Sequence, residues 1–101
     1  MNGIPLRILN RNYVLCFTRP EGWGTDDIRG WCDPVRALIF ISTELPEGER
    51  REVILHEVLH ALWFEYAWPG VEDEEKNVTW VARAVTEFIA GNKEFAREQL
   101  L

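Results

Sequence analysis

The chain of 101 residues has the length of one domain, which we take to span residues 1–101. Apolar residues make up 47% of it and include five Trp and five Phe, which excludes a disordered chain and indicates a modest hydrophobic core. The formal net charge of −6, with no cluster of Lys or Arg, argues against nucleic acid or an anionic membrane as a partner.

The sequence contains no recognisable membrane span or export signal. The apolar stretch around residue 60 is interrupted by His and Glu and falls short of the ~20 residues that cross a bilayer. The N-terminal segment, MNGIPLRILNRNYV, lacks the apolar core of a secretion signal. We therefore expect a cytoplasmic protein. Its cysteines, Cys16 and Cys32, are expected to be structural thiols, a metal-binding or redox role being the alternative.

The first half of the chain predicts short strands. Residues 4–18, IPLRILNRNYVLCFT, have the pattern of a β-hairpin with NRN as its turn. A loop rich in Gly, Pro and Asp is expected over 19–30, with Trp23 exposed. A short strand over 30–32 should turn at Asp33-Pro34 into a longer strand over 35–42, which contains the apolar run ALIFI.

The second half predicts helices. A first helix over 43–66 has Pro46 near its start and must end before Pro69-Gly70. A second helix over 71–92 is expected to end near Gly91, and a short third helix or a frayed segment follows. Apolar residues recur at helical spacing along the second helix: Val78, Val81, Ala82, Val85, Phe88 and Ile89. Its inward face is predicted to run through Val78, Ala82, Val85 and Ile89. Strands followed by helices predict an α+β fold, with a small antiparallel or mixed sheet covered by helices.

The first helix contains the sequence HEVLH at residues 56–60, a match to HExxH. His56 and His60 are neighbours on one helix face, so two imidazoles can bind a single tetrahedral Zn²⁺. Glu57, rotated by about 100°, flanks the metal and can move a proton from a zinc-bound water to a leaving amine. The simpler alternative is a pair of core histidines, but burying polar groups without partners costs about 1–3 kcal/mol each.

A catalytic zinc site needs a third protein ligand, and the chain has no third histidine. The acidic segment VEDEEKNV at the start of the second helix supplies carboxylates instead. Continuing the inward face of that helix by one turn toward the N-terminus reaches Glu75, which is therefore the first candidate for the third ligand. Glu74 is the second candidate, and Asp73 or Glu72 comes after it. The simpler interpretation is that these acids favour the helix dipole.

The strand before the HExxH helix is the candidate for substrate binding. An extended peptide could add to its edge at Ile39, Phe40 and Ile41, beside the zinc helix. Its apolar content fits a fully paired inner strand equally well. A group that stabilises the oxyanion would have to be brought in by the fold, and Tyr13 and Arg83 are the candidates.

These motifs resemble the zincin metallopeptidases, and within them the gluzincin pattern of HExxH followed by a glutamate on the next helix. The succession of a hairpin, LIFIS, ERREVILHEVLHAL and EEKNVTWVARAV is similar to the small metallopeptidases of phages and prophages. Those are related in layout to the ImmA/IrrE and SprT-like families. The resemblance implies a minimal zincin fold, one Zn²⁺ on His56, His60 and a glutamate of the second helix, and Glu57 as the catalytic base.

We therefore expect a zinc metallopeptidase that hydrolyses a peptide or protein substrate through a zinc-bound water. A phage origin, with the host cytoplasm as location, is a hypothesis from the resemblance. The alternative is a weakly active or inactive zincin-fold module with an interaction or regulatory role. The substrate, the oligomeric state and the physiological metal do not follow from the residues, because a site of two His and one Glu also accepts other divalent ions.

Overall fold

The computed structural model of the chain describes residues 3–18, 28–66 and 73–100. Within these ranges the strands β1 (Gly3–Ile8), β2 (Arg11–Thr18), β3 (Gly30–Asp33) and β4 (Leu38–Ser42) precede the helices α1 (Glu47–Tyr66), α2 (Glu74–Gly91) and α3 (Lys93–Gln99). This is the predicted α+β order. No helix in the described ranges combines the length and the apolar character that a membrane span requires. Trp23, expected to be exposed, lies outside the described residues.

The strands form one mixed sheet in the order β1-β2-β4-β3. β1 and β2 form the predicted antiparallel hairpin, but its turn lies at Leu9-Asn10, because Arg11 already pairs with Ile8. β2 and β4 run parallel, and β3 returns antiparallel to β4. The strand predicted over 35–42 begins at Leu38 instead. Residues 34–37 form a turn in which Ala37 has a positive φ of 59°.

β4 lies inside the sheet, with β2 on one side and β3 on the other. Both of its edges are therefore used, and the side chains of Ile39 and Ile41 are fully buried. The prediction that a substrate strand adds at Ile39, Phe40 and Ile41 is wrong for this physical reason, and the inner-strand alternative is the one observed. In the described part of the chain, β3 forms the border of the sheet on this side and packs against α1.

α1 crosses one face of the sheet and closes the hydrophobic core. The buried cluster combines residues of the sheet, of the turn before β4 and of α1: Ile8, Tyr13, Leu15, Ala37, Ile39, Ile41, Val53 and Ala61. Cys32 packs against this cluster, and both cysteines are free thiols as predicted, although they are half-buried. The helix that carries HExxH is thus anchored in the buried cluster of the described residues.

α2 packs on α1, and the inward face predicted for it is buried only in part. Val78 and Ala82 are buried and Ile89 is half-buried, whereas Val85 is 37% exposed. In the described residues, α2 contacts α1 and α3 but not the sheet, so no second layer covers the rest of this face.

Candidate metal centre

The two histidines of HExxH turn their Nε2 atoms toward each other. These atoms are 3.3 Å apart, and the side chains of His56 and His60 are 23% and 19% exposed. Val53 and Ala61 bury the adjacent stripe of α1 in the core. The imidazoles therefore lie at the margin of the packed face, where they are held by the helix and still open to a cleft.

Glu75, in the first turn of α2, completes the group. Its Oε1 lies 2.9 Å from Nε2 of His56, and its Oε2 lies 2.8 Å from Nε2 of His60. Ligands at zinc bond lengths of about 2.0–2.1 Å in a tetrahedron are about 3.3–3.4 Å apart, so the spacing of the two Nε2 atoms already fits. The carboxylate has to shift by about half an ångström to reach the same geometry. These three residues could hold one metal ion.

The two other described acids of the segment, Glu74 and Asp73, occupy different places. Glu74 Oε2 lies 2.6 Å from Nδ1 of His60, the ring nitrogen that faces away from His56. Asp73 caps α2, since its side chain accepts a hydrogen bond from the backbone N–H of Lys76. Glu72 lies outside the described residues. Among the described candidates for the third ligand, Glu75 is the one that faces both Nε2 atoms.

His60 has a carboxylate on each ring nitrogen, Glu74 on Nδ1 and Glu75 on Nε2. A neutral imidazole carries one N–H and cannot donate to both. The arrangement is therefore favourable with an imidazolium or with a cation between Nε2 and Glu75. Together with the facing Nε2 of His56, it matches the donor chemistry of a divalent metal.

Glu57 is buried, 7% exposed, between α1 and β3. The backbone of Gly30 lies directly against it, since a Cβ at that position would come within 2.9 Å of Glu57 Cγ and 3.1 Å of Val53 Cγ1. Burial raises the pKa of Glu57 to about 7; the nearby His60 lowers it and Glu75 raises it further. A pKa near neutrality suits a group that accepts a proton and returns it.

These side chains line a cleft of about 1160 Å³ between β3, α1 and α2. Several other residues of the three elements form its walls: Trp31, Cys32, Trp63, Phe64, Thr79 and Arg83. Arg83 is thus brought to the site. Tyr13, the other candidate for stabilising an oxyanion, is fully buried in the core and donates a hydrogen bond to Glu65, so the fold does not bring it there.

Two features of the site were missed by sequence reasoning. Gly30 was placed in a strand without a role, although a glycine inside a strand is itself a signal of close approach by another group. Cys32 lines the cleft beside Glu57, and burial, with the Glu57 charge second, raises the pKa of its thiol to about 12. In the absence of a metal ion the thiol is therefore protonated at neutral pH.

Comparison with known families gives one result. The family model Peptidase_M78, described as the IrrE N-terminal-like domain, matches residues 10–85. The matched span runs from the hairpin turn through HExxH and the acidic residues into α2. No curated protein and no solved structure matches the chain.

Proposed function

Because the chain belongs to the Peptidase_M78 family of IrrE N-terminal-like domains, we propose that it is a zinc-dependent peptidase. One observation carries the proposal. His56, His60 and Glu75 converge within 4.8 Å of one another, next to the buried carboxylate of Glu57 and at the wall of an open cleft. Histidines with a purely structural role would need neither a neighbouring base, nor a third ligand, nor a cleft that admits a substrate.

Zn²⁺ is the ion that we assign to this group. Two imidazoles and one carboxylate are a donor set of catalytic zinc sites, which keep a further position open. His56 and His60 would hold the ion through Nε2, and Glu75 would hold it through its carboxylate. When bound, the ion supplies a Lewis acid that polarises the scissile carbonyl and makes water in the site more acidic.

Glu57 is the residue that moves protons. Its carboxylate takes a proton from the water that attacks the peptide carbonyl and then delivers it to the amide nitrogen, so that the C–N bond breaks with a neutral amine as leaving group. The contact with Gly30 holds the carboxylate in place, and burial between α1 and β3 shields it from bulk water.

We assign substrate binding to β3 instead of β4. Among the described residues, β3 pairs with β4 on one side, and its residues Gly30, Trp31 and Cys32 line the cleft. An extended peptide that adds to the other side of β3 would use backbone hydrogen bonds and pass beside Glu57. This arrangement keeps the predicted mode of binding and changes the strand.

The metal assignment is tested by measuring metal content in the wild type, in His56→Ala and in Glu75→Ala by mass spectrometry. We expect about one zinc per chain in the wild type and loss of zinc in both variants. Glu52→Ala is the matched control, because Glu52 lines the same cleft from the same helix as His56. A wild type that binds no metal after reconstitution would overturn the proposal.

The peptidase assignment is tested with a mixed peptide library and detection of products by mass spectrometry. Glu57→Gln should retain zinc and lose hydrolysis by about 10²–10⁴-fold, the usual contribution of a general base. The alternative function, an interaction or regulatory module on the same scaffold, predicts a zinc-loaded wild type without hydrolysis. In that case Glu57→Gln should leave both metal content and partner binding unchanged.

A further inference from the structure

We propose that Glu74 is a positioning residue, which accepts the Nδ1–H of His60 and so presents the Nε2 lone pair of that ring to the metal. The inference rests on the proposed function, because it concerns the ion that His56, His60 and Glu75 would hold. Two adjacent acids of α2 thus have different roles. Glu75 binds the ion, and Glu74 fixes the tautomer and the orientation of His60.

The geometry separates the two acids clearly. Glu74 Oε2 is 2.6 Å from Nδ1 of His60, and Glu75 Oε2 is 2.8 Å from Nε2 of the same ring. Adjacent residues of a helix point about 100° apart, so the first turn of α2 can place one carboxylate on each side of the imidazole. Asp73 caps the helix immediately before them and defines where that turn begins.

The chemistry requires a partner on Nδ1. A neutral imidazole with its proton on Nδ1 has a free lone pair on Nε2, whereas the opposite tautomer points an N–H at the site of the metal. A carboxylate on Nδ1 selects the first tautomer, fixes the orientation of the ring and makes Nε2 a stronger ligand. Glu74 is 42% exposed, so this bond lies at the entrance of the cleft instead of inside the core.

The first test is zinc affinity, measured by competition with a chelator of known Kd. Glu74→Ala should raise the Kd for zinc by about 10–100-fold, the usual effect of removing such a partner, and Glu74→Gln should raise it less because an amide oxygen still accepts a hydrogen bond. Asp73→Asn is the matched control. It removes the same charge from the preceding residue and keeps an oxygen for the helix cap, so its Kd should stay close to that of the wild type.

The second test reads the hydrogen bond itself. In zinc-loaded wild type with ¹⁵N-labelled histidine, the Nδ1–H of His60 should give a downfield, slowly exchanging proton resonance. This resonance should be lost in Glu74→Ala and kept in Asp73→Asn. Circular dichroism checks that each variant is folded, and Glu74→Leu, which keeps a larger side chain without an acceptor, replaces Glu74→Ala if that variant does not fold.

The outcomes separate the two proposals. A wild type that binds zinc, with a Kd in Glu74→Ala no weaker than in Asp73→Asn or a His60 resonance that persists, overturns the role of Glu74 and leaves the proposed function standing. A wild type that binds no zinc overturns the proposed function and, with it, this inference. A weaker Kd together with loss of the resonance supports both.

Discussion

The four strands with α1, here called the body, differ sharply in packing from α2 and α3, here called the arm. The body contains side chains with no exposed surface, among them Tyr13, Ile39 and Ile41. The arm buries Val78 and Ala82 against α1, yet many of its large apolar side chains are 37–59% exposed: Trp80, Val81, Val85, Phe88 and Phe95. Burial of apolar surface therefore stabilises the body much more than the arm.

The candidate metal site lies across the boundary between the body and the arm. His56, Glu57 and His60 belong to the body, whereas Glu74 and Glu75 belong to the arm. The motif is thus held by the core, and completion of the site depends on how the less buried region docks. Contacts between the acids and the histidines are part of what holds the arm, so an ion there would join two regions of unequal stability.

The largest effect is expected from a cavity in the body. Ile39→Ala should lower the free energy of unfolding by about 2–5 kcal/mol, because Ile39 has no exposed surface. Val85→Ala in the arm should change it by less than about 0.5 kcal/mol, as is usual for exposed positions. Urea denaturation measures both. Equal losses in the two variants would show that the body and the arm are packed alike.

Zinc should have the next largest effect, and it should act on the arm through Glu75. A ligand that binds the folded state contributes about 2.7 kcal/mol at a concentration of 100 times its Kd. Hydrogen exchange in α2 should therefore slow on addition of zinc and return with a chelator, because an opening that separates Glu75 from the histidines must then release the ion. Amides of β4 that exchange through global unfolding should slow as well. His56→Ala is the control, in which zinc should change neither region, and unchanged exchange in α2 of the wild type would contradict the expected effect.

The contact between Gly30 and Glu57 gives a third, intermediate effect. Gly30→Ala adds a Cβ within 3.1 Å of Val53 and closer still to Glu57, so we expect about 1–3 kcal/mol of overpacking. Displacement of the base should also reduce hydrolysis by about 10²-fold. Gly48→Ala is the matched control on α1, since its new Cβ meets no atom within 4 Å. Unchanged activity in Gly30→Ala would remove the reason for a glycine beside the base.

The smallest effect is expected in the acid dependence of folding stability, and it arises in the body. Glu65 accepts hydrogen bonds from Tyr13 and Arg11, and these, the Tyr13 bond first, lower its pKa in the folded state. A lowered pKa stabilises the folded protein above the unfolded value of about 4.3, and that contribution is lost as the pH falls through the folded value. Glu65→Gln should therefore be less stable than the wild type at neutral pH and lose less stability in acid.

Urea denaturation at several pH values measures this dependence. Tyr13→Phe keeps the ring and removes the hydroxyl donor, so it should flatten the acid dependence in the same direction as Glu65→Gln. Parallel pH profiles for the wild type and Glu65→Gln would show that Glu65 does not contribute through its lowered pKa.

Features that depend on neighbouring residues were predicted well from the sequence. The order of strands and helices is local, and the α+β class is confirmed. The spacing of His56 and His60 places them on one helix face whatever the rest of the chain does. The resemblance to ImmA/IrrE-related metallopeptidases is confirmed by the family match over residues 10–85.

Features that depend on the meeting of distant segments were not predictable in the same way. β4 proved to be an inner strand because β2 and β3 pair on its two sides, and no local pattern states the partners of a strand. The inward face of α2 was predicted correctly at Val78 and Ala82 but not at Val85, because apolar spacing does not tell how many neighbours cover a helix.

The same limit applies inside the site. Helical spacing indicated Glu75 and Glu74 as candidate metal ligands, but it could not say which ring nitrogen of His60 each carboxylate would face. That depends on the angle at which α2 meets α1, since a rotation of about 100° exchanges adjacent residues. Local helix geometry thus accounts for the HExxH motif. Packing between β3, α1 and α2 brings Glu75 and Glu74 to the histidines and places Gly30 against Glu57, and only the tertiary structure decides this packing.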